Sequence, residues 1–550
     1  MAMVSRLHSS LLIIPLILSC AGYRSLFDVS ATILEIVNLQ TDLQPLQTGF
    51  LVGRAGENTT RVEISLDGSA LQAADGTTSW RYALPMAARQ WRLNSVHTIA
   101  IRAVNGAGNV VAELTRRVRK DHNRDLNGDG YPELVIASQL YNSNRGRTYV
   151  YFGGSASIQN LTRAIIEGDN ANDYCWHNNL DDIDLDGYAD LFVGCSMNLG
   201  TGRLGIFYGD ANFSGTKQVS SANALITGGT ADEFSYLQSA ADFNGDGFPD
   251  FAVGASNYNS YDGRLYIFYG SGTRIGNIAA SSAQTIITGV AADSGFGAYT
   301  SGDINGDGYD DLVATSYDLG GGNGRAYIFY GQSAYIASVS STSADRMIDG
   351  EGIGAYFGSS PTVADLNGDG YGDVIIAAPR YNIATSKVYI FYGAGTGIAI
   401  TTAGAANTII TGEANSALGR PLVGAVTATG ANDLLIGGIK WNNNDTGKLV
   451  LIRGQASFIT SVNASAITEF ITGDTTNLRF GAAQVLWYRN GSGNPTLCVG
   501  APMFNSNQGK AFLYENIQGR NFPGGSVVPD TTLLPDTLGE VFGDRMTGSP

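Results

Sequence analysis

Hydrophobic positions along the chain fall into two rhythms. In the first part apolar and polar residues alternate singly, as in Val62, Ile64 and Leu66 and again in Ile99, Ile101 and Ala103. Alternation with period two marks strands with one buried face. The turn signals Asp67-Gly68, Asp75-Gly76 and Asn105-Gly106-Ala107-Gly108-Asn109 separate these strands. Further along, apolar residues come as short unbroken runs: Leu134-Val-Ile-Ala, Leu191-Phe-Val-Gly, Phe251-Ala-Val-Gly, Leu312-Val-Ala-Thr and Val374-Ile-Ile-Ala. A second run follows, such as Tyr266-Ile-Phe-Tyr269-Gly270, and a third ends in Ile-Thr-Gly, as at Ile287-Thr288-Gly289. A fourth opens on Phe-Gly, as at Phe296-Gly297, Phe357-Gly358 and Phe480-Gly481. Runs this short, aromatic and bounded by Gly read as strands rather than helices.

One acidic loop precedes the first run of each unit. Its five copies are Asp125-Leu-Asn127-Gly-Asp129-Gly130-Tyr131-Pro-Glu133, Asp182-Ile-Asp184-Leu-Asp186-Gly187-Tyr188-Ala-Asp190, Asp242-Phe-Asn244-Gly-Asp246-Gly247-Phe248-Pro-Asp250, Asp303-Ile-Asn305-Gly-Asp307-Gly308-Tyr309-Asp-Asp311 and Asp365-Leu-Asn367-Gly-Asp369-Gly370-Tyr371-Gly-Asp373. Their starts lie 57, 60, 61 and 62 residues apart, a period that suits a propeller blade of four short strands.

Oxygen ligands at positions 1, 3, 5 and 9 can wrap one hard cation, and Ca²⁺ accepts such irregular oxygen shells. Gly at position 6 allows the sharp turn. Position 7 is expected to offer its backbone carbonyl, which leaves the side chains of Tyr131, Tyr188, Phe248, Tyr309 and Tyr371 free to pack. An EF-hand is excluded, because its position 12 is a bidentate Glu. Here that position holds Ile136, Val193, Val253, Ala314 and Ile376. The competing reading is a metal-free Asx-rich turn. Crowded carboxylates repeated five times would repel without a cation, so about five structural Ca²⁺ are expected.

Composition agrees. The 550 residues contain 72 Gly, 27 Tyr and 22 Phe but 14 Pro, a mixture for short strands and Gly-rich turns, not for disorder. Net charge is −16, which argues against a nucleic-acid partner. The loops carry 16 acidic ligands, so five Ca²⁺ would bring the net charge to −6. At the N-terminus Arg6 and the apolar run Leu11 to Leu18 resemble an export signal, and the run is too short to span a bilayer. It ends in Ile17-Leu18-Ser19-Cys20, close to a bacterial lipobox, which would lipidate Cys20. Plain secretion is the alternative. No other stretch reads as a transmembrane helix. Around the second loop, Cys175 and Cys195 would face each other across a hairpin within reach of a disulfide, or remain two buried thiols. Cys498 has no evident mate.

Phe-Gly followed by a Gly-Ala-Pro-like strand resembles the FG-GAP repeat of integrin α subunits and their bacterial relatives. Gly500-Ala501-Pro502 matches it literally, and Ala377-Ala378-Pro379 and Gly254-Ala255-Ser256 nearly so. The resemblance implies an all-β chain, a seven-bladed β-propeller over residues 121–550. An immunoglobulin-like β-sandwich over 29–120 is expected before it, preceded by a signal peptide at 1–19 and a linker at 20–28. Degenerate copies of the strand after the loop, Asp433-Leu-Leu-Ile-Gly437 and Thr496-Leu-Cys498-Val-Gly500, complete the seven. The last Phe-Gly, Phe542-Gly543, has no blade of its own and is expected to return to the first.

On the face opposite the metal loops, Tyr141, Tyr258, Tyr317, Tyr381, Trp441 and Phe504 recur. A basic residue then opens the next strand: Arg147, Arg203, Arg264, Arg325, Lys387, Lys448 and Lys510. In integrins the corresponding face contacts ligands. The aromatics are either partner anchors or covers for the blade ends. The chain thus reads as a non-catalytic adhesion or binding module for an extracellular protein or glycan, exported to the cell surface or outer membrane, or secreted, and touching membrane through a lipid anchor alone. Alternatives are a structural envelope protein or a non-catalytic part of a secreted hydrolase system. No nucleophile elbow, zinc-protease motif or phosphate loop is apparent.

Overall fold

A computed structural model describes residues 33–547 except 86–90, 92, 94, 155–161, 198–199, 231, 236–239, 291–294, 381–384, 427–431, 441–444, 456–458, 477, 521 and 538. The expected signal peptide and Cys20 lie outside the described residues.

The alternating segment forms two sheets. One holds Leu34–Ile36, Phe50–Ala55, Ser79–Ala83 and Asp75–Gly76 in that order. The other holds Gln44–Leu46, Val110–Lys120, Val96–Asn105, Thr59–Leu66 and Gln72–Ala73. Leu51 and Trp80 from the first meet Val62, Ile64, Ile101 and Val118 from the second in one core. Intervening residues such as Glu63 and Arg102 stay at the surface and pair there. The segment is therefore a two-sheet sandwich.

From Leu134 on, the described residues form seven more sheets of four or five strands. Within a sheet the strands run antiparallel in chain order. The second sheet is typical: Cys175–Asp181, Asp190–Cys195, Arg203–Phe207 and Ala224–Thr227. Five of the seven add a short parallel strand from the next unit, as Ile278–Ala279 does beside Ala224–Thr227, so that neighbours are stitched together. The strand after each acidic loop is buried along its whole length, because it packs against a neighbouring sheet on either side. That explains why those runs are unbroken rather than alternating. Phe192 and Phe251, from successive sheets, have ring centroids 5.4 Å apart in such a between-sheet core.

The first sheet takes its first strand from the far end of the chain. Phe542–Thr547 runs antiparallel to Leu134–Ser138, with Val135 opposite Thr547 and Ser138 opposite Phe542. The ring of Phe542, fully buried, meets Tyr149 edge-on at 5.3 Å. The Glu540 carboxylate accepts hydrogen bonds from the Ser138 hydroxyl at 2.8 Å and the Tyr149 hydroxyl at 2.9 Å. This pairing leaves neither end of the series with an open sheet edge at this point. The result is an all-β propeller carrying an N-terminal sandwich. Cys175 and Cys195 form a disulfide across the second sheet's first hairpin, and Cys498 is a buried free thiol. Among the described residues, no helix is long and apolar enough to cross a membrane.

Candidate metal centre

Four of the acidic loops join the first and second strands of their sheets, while the first runs from the sandwich strand Val110–Lys120 into Leu134–Ser138. The nine residues of a loop close on themselves through side chain to backbone bonds. In the first loop the Asp125 carboxylate accepts the amides of Asp129 at 3.1 Å and Gly130 at 2.8 Å, and Asp129 accepts that of Tyr131 at 3.0 Å. The position-9 carboxylate accepts the amide of position 2: Leu126 to Glu133, Ile183 to Asp190 (3.0 Å), Phe243 to Asp250 (2.9 Å), Ile304 to Asp311 (2.8 Å) and Leu366 to Asp373 (2.9 Å). Its other oxygen reaches the glycine after the third strand, as from Gly209 to Asp190 at 3.0 Å and Gly331 to Asp311 at 2.9 Å. Position 9 thus ties the loop to two strands of the blade. In four loops the position-3 amide donates to position 5, as Asn127, Asn244, Asn305 and Asn367 do to Asp129, Asp246, Asp307 and Asp369.

The carboxylates converge. Ligand oxygens of Asp125, Asp129 and Glu133 lie within 4.8 Å of one another, and so do those of Asp182, Asp184 and Asp190. Burial pushes Asp125 up to about 7, with the Asp129 charge adding to the shift. Burial likewise raises Asp182, Asp250 and Asp311 to about 8 and Asp373 to about 7. Glu133 and Asp190 are raised well above the ordinary range by burial and by neighbouring carboxylates. Two buried oxygens, Glu133 Oε1 and Asp182 Oδ1, have no hydrogen-bond partner. Buried, crowded carboxylates with spare lone pairs are costly, and a hard oxygen-seeking cation removes both the repulsion and the unmet valence. The donor set fits such a cation.

The second loop departs from the rest twice. Its extra carboxylate, Asp184, is met by Arg274 from the next blade, 2.6 Å from Asp184 and 2.7 Å from Asp186. Position 4, Gly elsewhere, is Leu185 in the left-handed region at φ 58°. The Leu185 side chain packs against the sandwich core. Gly128, Gly245 and Gly306 at this position serve the neighbouring blade, whereas a Cβ on Gly368 would meet nothing within 4 Å. A Cβ on Gly128 would lie 2.3 Å from the Tyr188 ring, and one on Gly245 2.4 Å from that of Tyr309. Position-7 aromatics therefore stack on the preceding loop, and Phe248, following Leu185, rests on Gly272 instead.

The sandwich sits on the first two loops. Thr48 donates to Asp125, and Asn38 donates to the Gly130 carbonyl at 2.8 Å. Phe50 meets Tyr188 edge-on at 5.1 Å, and the Arg81 guanidinium covers Phe50 at 3.5 Å. A Cβ on Gly49 would fall 2.2 Å from the Gly187 carbonyl oxygen, so that approach requires glycine. Apart from Leu185, nothing in the repeat pattern points to these contacts.

On the opposite face the aromatics and basic residues satisfy each other. The Arg147 guanidinium lies 3.5 Å from the Tyr141 ring, Arg264 3.4 Å from Tyr258, and the Lys510 ammonium 4.8 Å from Phe504. The basic groups also pair with acids: Arg147 with Glu167 at 2.6 Å, Lys448 with Glu413 at 2.8 Å, Lys387 with Glu351 and Arg203 with Asp169. Behind Tyr141, Tyr258 and Phe504 three residues in succession are left-handed, for example Asn142, Ser143 and Asn144. The carbonyls of Ser143 and Asn144 accept the Asn172 and Tyr174 amides at 2.9 Å, fastening one blade to the next. Tyr317 is offset from this register. Leu319 takes the equivalent place, and Tyr317 lies 6.4 Å from Tyr356. Tyr381 and Trp441 lie outside the described residues. Tyr261, 59% exposed, ends the same loop segment as Tyr258, at a place where the matching segments end in Asn144, Gly322 and Asn507, so the repeat carries no signal for it.

Comparison with known proteins follows the same lines. The FG-GAP repeat family matches residues 239–268 and 357–397, and the FG-GAP-like repeat family residues 125–193 and 303–376. The chain is 24% identical over 326 residues to phosphatidylinositol-glycan-specific phospholipase D of Bos taurus, across 54% of this chain and 38% of that protein. It is 32% identical over 173 residues to integrin alpha-IIb of Mus musculus, across 29% of this chain and 16% of that one. With integrin alpha-4 of Xenopus laevis it shares 29% over 197 residues, 34% of this chain and 18% of the relative. It therefore spans well under half the length of these relatives. The solved Dos1 propeller superposes loosely, at TM-score 0.32 and 12% identity over 78% of this chain and 88% of its own. What repeats along this chain is the FG-GAP repeat, and the protein is an integrin α-like FG-GAP repeat protein.

Proposed function

We propose that this chain is an exported, calcium-braced propeller that acts as a non-catalytic adhesion or binding module for an extracellular protein or glycan. One observation carries the calcium reading: carboxylates converge in the first two loops, with the buried Glu133 Oε1 and Asp182 Oδ1 left without partners. About five Ca²⁺ would sit in the loops that precede the second strands of five blades. At ~1 mM Ca²⁺ and a Kd of ~0.1–1 mM, each site stabilises by roughly 0.4–1.4 kcal/mol. The metal is then a brace, and the partner surface is the opposite face, where Tyr261 and Tyr317 are exposed. The disulfide suits an oxidising compartment, and a lipid anchor at Cys20 would hold the protein at a surface.

The likeness to a phospholipase D supports a second reading, a non-catalytic part of a secreted hydrolase system. A glycan array and a matrix-protein binding screen, each with and without Ca²⁺, separate the two. Saturable binding that chelation abolishes is the expected result. Hydrolysis by the chain itself, without saturable binding, would overturn both readings, because each is non-catalytic.

A further inference from the structure

We propose that the central channel of the propeller binds a small oxyanion of the sulfate, phosphate or carboxylate class. The channel holds 330 Å³ and is walled by first strands of the blades, among them Cys175–Asp181, Leu418–Gly424 and Phe542–Thr547. Its charge is opposite to that of the chain as a whole. In a protein of net charge −16, the wall carries Arg124, Arg420 and Arg545 against the single carboxylate of Asp544, which lies 3.6 Å from Arg420.

The unmet hydrogen-bonding capacity of the wall is also weighted toward donors. Arg124 is 3% exposed; its Nη1 donates to Asn179 Oδ1 at 3.4 Å and to the Leu180 carbonyl at 3.2 Å, and its Nε has no acceptor. Asn179 and Asn178, 2% and 7% exposed, each hold an amide nitrogen without an acceptor. Their oxygens are already engaged, that of Asn179 by Arg124 and that of Asn178 by the Thr547 hydroxyl at 3.1 Å. These three atoms are donors on nearly buried residues, and they outnumber the one unmet acceptor of the lining, Gln484 Oε1, whose amide nitrogen donates to the Arg420 carbonyl. Unmet buried donors are costly, and a guest that only accepts and carries negative charge satisfies both donors and arginines. A cation or an apolar guest satisfies neither. The volume suits one ion with a few waters rather than a glycan chain.

The test uses the full chain in chloride buffer with Ca²⁺. Calorimetric titration with sulfate and, separately, with malonate distinguishes a tetrahedral from a carboxylate preference. Selenate soaked into crystals locates the ion by its anomalous scattering. Saturable binding is expected, with selenium in the channel near Arg124 and Asn179. Arg124→Gln should weaken binding about tenfold, as one lost charge-assisted contact does. Arg545→Gln, on the last strand, should weaken it too and serves should the first variant misfold. No saturable heat with either anion, selenium elsewhere, or unchanged affinity in a folded variant would overturn the proposal.

Discussion

The hydroxyl of Thr48, in the sandwich, donates a 2.7 Å hydrogen bond to Asp125 Oδ2, the first residue of the first acidic loop. The same hydroxyl accepts the Phe50 amide at 2.9 Å, so one atom fastens a sandwich strand to a candidate metal ligand. Thr48→Val keeps the shape and removes the hydroxyl. It is expected to cost about 1–3 kcal/mol, because a buried amide and a buried carboxylate each lose a partner. Urea unfolding measures this, and an unchanged midpoint would mean that the sandwich does not support the loop.

The loops predict an inverted pH dependence once metal is removed. Asp182, Asp250 and Asp311 are raised to about 8, and Asp125 and Asp373 to about 7, from 3.8. A carboxyl with a higher value folded than unfolded favours the fold when protonated. That contribution is complete below about 4 and is lost as pH rises through the folded values. In EDTA the melting temperature should therefore fall from about pH 5 to pH 9. Ca²⁺ binds the ionised carboxylates, so the gain in melting temperature on adding it should widen over the same range. A calcium gain that shrinks as pH rises would contradict the arrangement.

The Cys175–Cys195 disulfide closes the hairpin around the second loop over a separation of 20 residues. Replacing both by Ala should lower stability by about 3 kcal/mol, chiefly by freeing the unfolded chain. Equal unfolding midpoints for the variant and the parent would show that the hairpin is held by its other contacts alone.

Ring closure places weight on Phe542. Phe542→Ala should cost about 3–5 kcal/mol, as for other fully buried aromatics. Deleting residues 540–550 should unfold or aggregate the propeller by exposing Leu134–Ser138 as an edge. A truncated chain with the parent's melting temperature would refute closure by this strand.

The all-β fold is legible in the sequence because its signals are local and repeated. Unbroken runs such as Leu191-Phe-Val-Gly mark strands buried on both sides, and Asp and Gly at fixed offsets spell the loops. The docking of the sandwich is not legible. Thr48 and Asp125 are 77 residues apart, and a repeat pattern carries no information about what lies against it. Leu185 is the one visible hint: a Leu where the other loops have Gly at a left-handed position has to be held by something outside the loop. The left-handed turns behind Tyr141 and Tyr258 are equally hidden, since Asn and Ser tolerate that conformation without announcing it. The matching Gly320-Gly321-Gly322 of another blade is the signal that reveals them. Tyr317 shows the cost of counting aromatics without register: it sits two residues before the equivalent position, Leu319.

The most direct test of the account is the number of calcium ions per chain. Purified protein is dialysed against ~1 mM Ca²⁺, the regime of extracellular calcium modules, and the bound metal is counted by elemental analysis. About five per chain are expected, with one lost in a variant that carries Asp242→Ala and Asp250→Ala in the third loop. Binding of one or none, or an unchanged count in that variant, would contradict it.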